Sequence, residues 1–425
     1  MHAISHRFGL ILALLLVGAV PACSGDDGSS QPTSTSGAQG GAGGTGGAGG
    51  AGGAGGLGGA GGLGGAGGAG GLGGAGGQGG ALVCDPGYEN CDGNAANGCE
   101  VSLAVDALHC GTCDNDCNGG TCEAGNCVLT AVSTLITMQD EPSYLTIGGG
   151  SLFWTNFGDD SVATSLLDGT GLTVVAAAEL NPAGIVADAT HVYWVNRGLS
   201  GNNNGSIREA PADGSMPPIT LAEPQPYPFG IALDDTHVYW TFHEGSGGVR
   251  RVLRGSMGTG TIETLATGGV PNGIAVDDTH AYWVLRDTGA VLSVQKDGLG
   301  GQPTTLATNQ GEVREIAVDA THVYWTTSAT GTVNRVLKAG GTVETVAVGQ
   351  GNPRVIGVDA TGLYWANAAS GTVMRASPDG LVYALAAGLQ SPYGLALDDT
   401  HVYWTNQLGT NGTIQSTPKP LIVTP

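Results

Sequence analysis

The groups with chemical capacity in this 425-residue chain are nine cysteines, nine histidines and 36 carboxylates, against only 14 lysines and arginines. Their spacing sorts them. Eight cysteines, Cys84, Cys91, Cys99, Cys110, Cys113, Cys117, Cys122 and Cys127, crowd into 44 residues, and the ninth, Cys23, stands alone. Thiols at the Cys-x2-Cys spacing of Cys110 and Cys113 can ligate zinc, whereas an even number in a stretch poor in large apolar residues can pair completely as disulfides. Five histidines, His191, His237, His280, His322 and His401, each follow an aspartate by three residues, and Asp359 is a sixth aspartate of that kind. Spread one per repeat, these histidines cannot converge to the roughly 2 Å that zinc ligation demands. The aspartates read as turn residues that accept backbone N–H bonds. Glu312 and His243 break the repeat and are the acid/base candidates. There is no Gly-x-Ser-x-Gly and no His-Glu-x-x-His, so neither the serine-hydrolase elbow nor the zincin helix is present.

The segments that must position these groups differ sharply in composition. Residues 1–22 pair one fixed positive charge, Arg7, with the apolar run from Gly9 to Val20, which is too short to span a membrane and reads as a signal peptide. The run ends in Val-Pro-Ala-Cys at Cys23, which resembles the lipobox of bacterial lipoproteins; that resemblance implies acylation of Cys23 and a protein anchored in a membrane, outer membrane or cell surface, by its N-terminal lipid. Residues 23–83 follow as a linker, and 28 of the 79 glycines lie between Gly40 and Gly80 in Gly-Gly-x triplets. This composition offers no core, so a disordered tether with a reach of ~35 Å is expected. Residues 84–130 form a cysteine module in which four disulfides replace a missing core, with 105 pairings open. Zinc at Cys110, Cys113 and two later thiols is the alternative. The later half of the module resembles the Stig1-like cysteine-rich repeats. Asp85, Asp92, Asn94, Asn97 and Glu100 could offer oxygens to calcium but lack EF-hand spacing, and no cofactor is otherwise expected.

Residues 131–425 repeat. All seven tryptophans lie here, at Trp154, Trp194, Trp240, Trp283, Trp325, Trp365 and Trp404, spaced 39 to 46 residues apart. Around them recurs Gly-Ile-Ala-x-Asp, a turn, Val-Tyr-Trp-Thr, a Gly turn, a β-branched run and an Asp-Gly turn: four short strands per unit. Bulky residues at successive positions of the Tyr-Trp strand require burial on both faces. A seven-bladed, all-β propeller of four-stranded antiparallel blades satisfies this. The same motifs resemble the blades of YWTD-type and NHL-type propellers. The acid that follows Tyr-Trp-Thr in YWTD blades is replaced here, at Asn156, Asn196, Phe242, Leu285, Thr327, Asn367 and Asn406. Eight outer-strand-like segments accompany seven blades, so the early one, Val132 to Met138, should close the ring in the last blade, leaving Leu421 to Thr424 surplus.

Function should lie where the repeat breaks. The loops on one face carry Asn181, Tyr227, Asn272, Glu312, Arg314, Arg354 and Tyr393 near the axis, with Arg197, His243 and Arg286 outside them. Aromatics, amides and arginines on a shallow bowl suit a protein or glycan partner bound without catalysis. The alternative is an enzyme of the propeller lyase or lactonase kind, which would need a divalent metal at the channel mouth. A net charge of -22, with no cation between Arg7 and Arg197, excludes nucleic acid as a partner.

Overall fold

The computed structural model describes residues 84, 88–91, 99, 101–103, 113, 121–123, 126–128, 132–297 and 301–420. The signal peptide, Cys23, the tether, Cys110, Cys117, the calcium-ligand candidates and the surplus segment Leu421 to Thr424 lie outside them. Within the cysteine module, Cys84 pairs with Cys99 and Cys91 with Cys113. The second bridge removes Cys113 as a thiolate and overturns the zinc alternative, because a disulfide sulfur is no zinc ligand. Short strands Thr121–Glu123 and Asn126–Val128 place Cys122 opposite Cys127 in register.

Seven four-stranded antiparallel sheets follow, and no helix occurs among the described residues. In the first six blades the strands are consecutive in sequence. The seventh takes three strands from the end of the chain and its outermost, Ser133–Gln139, from the beginning, paired to Gly412–Pro418. The early segment therefore closes the ring.

The run of bulky residues has a direct structural reason. Successive strand residues point to opposite faces, so Tyr and Trp of one strand enter different seams. Tyr193 packs with Trp240 of the next blade, Tyr239 with Trp283, Tyr282 with Trp325, Tyr324 with Trp365 and Tyr364 with Trp404. Phe153 with Trp194, and Tyr403 with Trp154 across the closure, complete the circle. All seven tryptophans are essentially buried. Truncating one would cost about 3–5 kcal/mol.

Threonine after tryptophan stitches seams in polar fashion. Thr241 Oγ1 accepts the Gly230 N–H within its blade and donates to the Asn272 carbonyl of the next. Thr326 donates likewise to Arg354, and Thr405 to Ser143 across the closure. Two of the asparagines after the tryptophan reach toward the preceding blade: Asn156 Nδ2 donates to Gln139 at the end of the closing strand, and Asn367 Nδ2 to Gln350 in the connection from blade five, and each glutamine also accepts the Nε1 proton of the neighbouring tryptophan, Trp154 or Trp365. On the face opposite the candidate loops, Asp188, Asp234, Asp277, Asp319 and Asp398 accept the N–H of the threonine and histidine that follow, as a turn-fixing carboxylate should. Each repeated histidine bonds its own threonine and lies about 6 Å from its own blade's tyrosine, a local and structural role.

Candidate functional site

The innermost strands begin at Pro142, Pro182, Pro228, Pro271, Val313, Pro353 and Pro392. Each shows a register shift between its first and fourth residues. A shift of that kind re-aims the side chains at the irregularity. Second or third residues of six of the seven innermost strands line one shared cavity at the mouth, whereas Ala183 of the second blade packs in the core. At the second position stand Ser143, Ala183, Phe229, Asn272, Arg314, Arg354 and Tyr393. At the third, glycine is the rule, broken by Tyr144, Glu315 and Val355. The glycines let neighbours close in: a Cβ on Gly273 would lie 2.9 Å from the Glu315 Cα and closer still to its carboxylate.

Glu315 and Tyr144 were not among the residues singled out from the sequence, because the innermost strands read as glycine and aliphatic. The signal was available in Val-Arg-Glu and Pro-Ser-Tyr standing where other blades have Pro-x-Gly. Tyr144 Oη donates to Glu315 Oε1 at 3.2 Å. Burial pushes the Glu315 carboxyl up to about 7, against the opposing pull of Tyr144 and Arg314. Burial also lifts the Tyr144 phenol well above its ordinary value, assisted by Tyr393 and Glu315. Tyr144 meets Phe229 and Tyr393 edge-on, at 6.2 and 5.5 Å between ring centres. The cavity these side chains enclose with Arg314 and Arg354 measures only 20 Å³, room for about one water.

The candidates sort into three groups. Arg314, Arg354, Tyr393 and Asn272 line this cavity together. Arg354 lies over the Tyr393 ring at 5.0 Å. Asn272 is a strut: it is 3% exposed and its Nδ2 donates to the Arg314 carbonyl at 2.9 Å. A second group surrounds Phe229. His243 stacks on it at 5.0 Å, and Arg197 lies 4.8 Å from Phe157 and 5.7 Å from both Tyr227 and Phe229. Burial lowers the His243 imidazole to about 4, leaving it neutral. The third group is an ion-pair cluster on blades four and five. Glu312 takes Arg286 at 2.8 Å, Arg314 at 2.9 Å and the Ser328 hydroxyl at 3.0 Å. Burial works against its carboxylate, but Arg314 and Arg286 outweigh it and hold Glu312 below its usual value. It is thus an anchored anion and does not offer a proton at neutral pH.

Asn181 stands apart, with a positioning role. Its backbone is left-handed (φ 54°), its carbonyl accepts the Arg197 N–H at 3.0 Å, and its amide holds the Gly198 carbonyl. Tyr227, also left-handed, holds the His243 N–H in the same way at 3.1 Å. The two loop sets of each of these blades are therefore tied at the residues Arg197 and His243.

The electrostatics single out two of these cations. Of the 13 lysines and arginines beyond residue 190, nine form ion pairs with carboxylates. Arg250 and Arg375 have hydrogen-bond acceptors instead. Arg197 and Arg354 lie instead over aromatic rings, and the Nε of each is buried without an acceptor among the described residues. Both are at the mouth. In a chain with a net charge of -22, that is where cations have been left without acids.

No known family and no curated protein matches the sequence. Solved structures do match in shape. A streptogramin B lyase is 13% identical with a TM-score of 0.57, the match covering 68% of this chain and 98% of that one. A virginiamycin B lyase from Staphylococcus aureus is 15% identical with a TM-score of 0.56 and the same coverages. A gluconolactonase from Xanthomonas campestris is 14% identical with a TM-score of 0.45, covering 68% of this chain and 90% of that one. At such identities the likeness is one of fold, and what the chain shares with these lyases is the β-propeller.

Proposed function

We propose that this protein is a surface lipoprotein whose propeller binds, without catalysis, an acidic partner, a protein or glycan that presents carboxylate groups to the mouth of the ring. The observation that carries the reading is the pair of arginines, Arg197 and Arg354, held on aromatic rings with no carboxylate of their own. A guanidinium in such a setting gains a charge-assisted, bidentate bond when an external carboxylate arrives. Arg314 adds a third cation, and Tyr227 and Tyr393 supply flat faces beside the arginines for a sugar ring or a side chain. Anchoring through Cys23 and presentation on the glycine-rich tether rest on the Val-Pro-Ala-Cys sequence and on the odd cysteine count. Titration of the full-length protein with oligogalacturonate and with a Glu-rich peptide, against neutral counterparts, tests the binding. Saturable, salt-sensitive binding that weakens at least tenfold in Arg354→Ala is expected, and equal affinity for neutral and acidic ligands overturns it.

A second reading, a lyase or lactonase, is favoured by one observation: a carboxyl near 7 bonded to a tyrosine at the axis. The donor set does not fit the divalent metal such an enzyme would need, since Glu315 brings a single carboxylate among Arg197, Arg314 and Arg354. A cavity of 20 Å³ also leaves no room for a substrate beside it. Turnover of a lactone by the wild type and its loss in Glu315→Gln would reverse the order of the two readings.

A further inference from the structure

Four seams of the ring are locked by one cation each. Five residues beyond a buried aliphatic of the third strand (Val249, Val291, Val333 and Ile414) stand Arg254, Lys296, Lys338 and Lys419. Each reaches back to the turn aspartate of the preceding blade: Arg254 to Asp188, Lys296 to Asp234, Lys338 to Asp277 and Lys419 to Asp359. Lys296 Nζ bonds Asp234 Oδ2 at 2.6 Å and Lys338 Nζ bonds Asp277 Oδ2 at 2.7 Å. In both, the ammonium lies 5.5 to 5.8 Å from the ring of the tyrosine whose hydroxyl shares that oxygen.

Between blades five and six the lock has its receptor and lacks its cation. Asp319 Oδ2 takes the Tyr324 hydroxyl at 2.7 Å, as its counterparts do. Five residues beyond Val373, however, stands Pro378, which has neither an ammonium nor the backbone N–H that Lys296 and Lys338 give to Thr279 and Thr321. No ammonium or guanidinium among the described residues lies within ion-pair distance of Asp319. Here the surface opens into a cavity of 910 Å³ lined by Asp319, Tyr324, Arg335, Glu344, Ser377 and Asp379. Its one guanidinium, Arg335, pairs with Glu344 at 2.8 Å and also acts on the Tyr324 phenol, as Arg251 does on Tyr239 beside Lys296, and Asp379 adds a further negative charge. Asp398 also lacks a cation, but the equivalent residue there is Leu167, which packs against the closing core.

We propose that this groove binds a lysine side chain of a partner polypeptide, whose ammonium takes on Asp319 and Tyr324 the place that Lys296 takes on Asp234 and Tyr239. The molecule itself supplies the template for the ligand: the same carboxylate and phenol hold a primary ammonium at two neighbouring seams, with that ammonium over the tyrosine ring. The volume admits several residues of an extended segment around that lysine. The groove lies on the face opposite the arginine mouth, so this inference does not depend on the function proposed above.

The test uses the full-length protein and two acetylated, amidated pentapeptides, Gly-Gly-Lys-Gly-Gly and the same sequence with norleucine for lysine. The lysine peptide is expected to bind at least tenfold more tightly than the norleucine peptide. Asp319→Asn should reduce that affinity at least tenfold. Pro378→Lys, which supplies the missing ammonium from within, should abolish peptide binding and raise the melting temperature. Should Asp319→Asn fail to fold, Pro378→Lys decides. No binding of the lysine peptide, equal binding of the two peptides, or undiminished binding in Pro378→Lys overturns the proposal.

Discussion

On the turn face of the ring, Asp234 and Asp277 hold the same set of partners: a threonine, a histidine N–H, a tyrosine hydroxyl and a lysine from the next blade. On the mouth face, one strand position carries serine, alanine, phenylalanine, asparagine, two arginines and tyrosine in turn. The first pattern is what a closed ring needs, because every seam meets the same geometric demand and the same residues answer it. The second is what a ligand needs, since a bound molecule lacks the symmetry of the ring and each blade must offer it something different. Recurrence therefore marks architecture. A break in recurrence marks function, whether the break adds a group, as at Arg354, or removes one, as at Pro378.

The largest effect is expected at the turn face. Asp234→Ala removes the acceptor of two backbone N–H groups, a tyrosine and a lysine, and should destabilise the propeller by about 3 kcal/mol while leaving acidic-ligand binding intact. Burial works against the Asp234 carboxylate, but Lys296, Tyr239 and the turn N–H groups hold it well below its ordinary value. The stability it contributes is complete above about pH 4 and is lost as the pH falls further. The acid limb of a melting-temperature profile should accordingly be shallower in the variant.

Glu315 should behave with the opposite sign. Its folded value, raised to about 7, lies above that of the unfolded chain, so its protonated form favours folding below about pH 4 and this advantage is lost as the pH rises to about 7. Glu315→Gln should flatten the melting temperature across that window, and an unchanged profile would show that the carboxyl titrates normally. A smaller effect is expected at the mouth. Arg354→Ala should leave stability within about 0.5 kcal/mol and cost at least about 1.4 kcal/mol of acidic-ligand binding, the tenfold loss read by titration. The smallest belongs to the histidines: His237→Ala should lower stability by about 1 kcal/mol through its lost threonine bond and packing against Tyr239, with affinity unchanged. Loss of affinity there, with normal binding in Arg354→Ala, would mean that the two faces have been assigned in reverse.

Much of this was legible in the sequence, for a physical reason. Seven tryptophans about forty residues apart, each beside a tyrosine or phenylalanine, leave few ways to bury both rings except between blades, and the early outer-strand segment at Val132 already implied how the ring closes. The mouth was legible as to Arg197, Tyr227, Arg314, Arg354 and Tyr393, because loop residues that escape the repeat stand out. Glu315 and Tyr144 were missed because their aim depends on a register shift, a backbone feature with no residue type of its own. The groove beside Asp319 was harder still, since its signature is a residue that is not there. Of the disulfides, Cys84 to Cys99 and Cys91 to Cys113 come from the structure, because spacing does not select among the pairings.

The closing strand has a consequence in time. Ser133–Gln139 is the first part of the propeller to be synthesised, and its partner, Gly412–Pro418, is the last. Six blades can form in order as the chain lengthens, each from consecutive residues, while the opening strand keeps a bare edge until some 280 residues have followed it. Until then the molecule is an open arc with two unsatisfied ends, the state in which β-proteins pair with the wrong neighbour. The Thr405 bond to Ser143 and the meeting of Tyr403 with Trp154 end that interval together. A ring closed in this way has no intermediate that is both circular and incomplete, so a chain stopped short of its last blade is left as an arc.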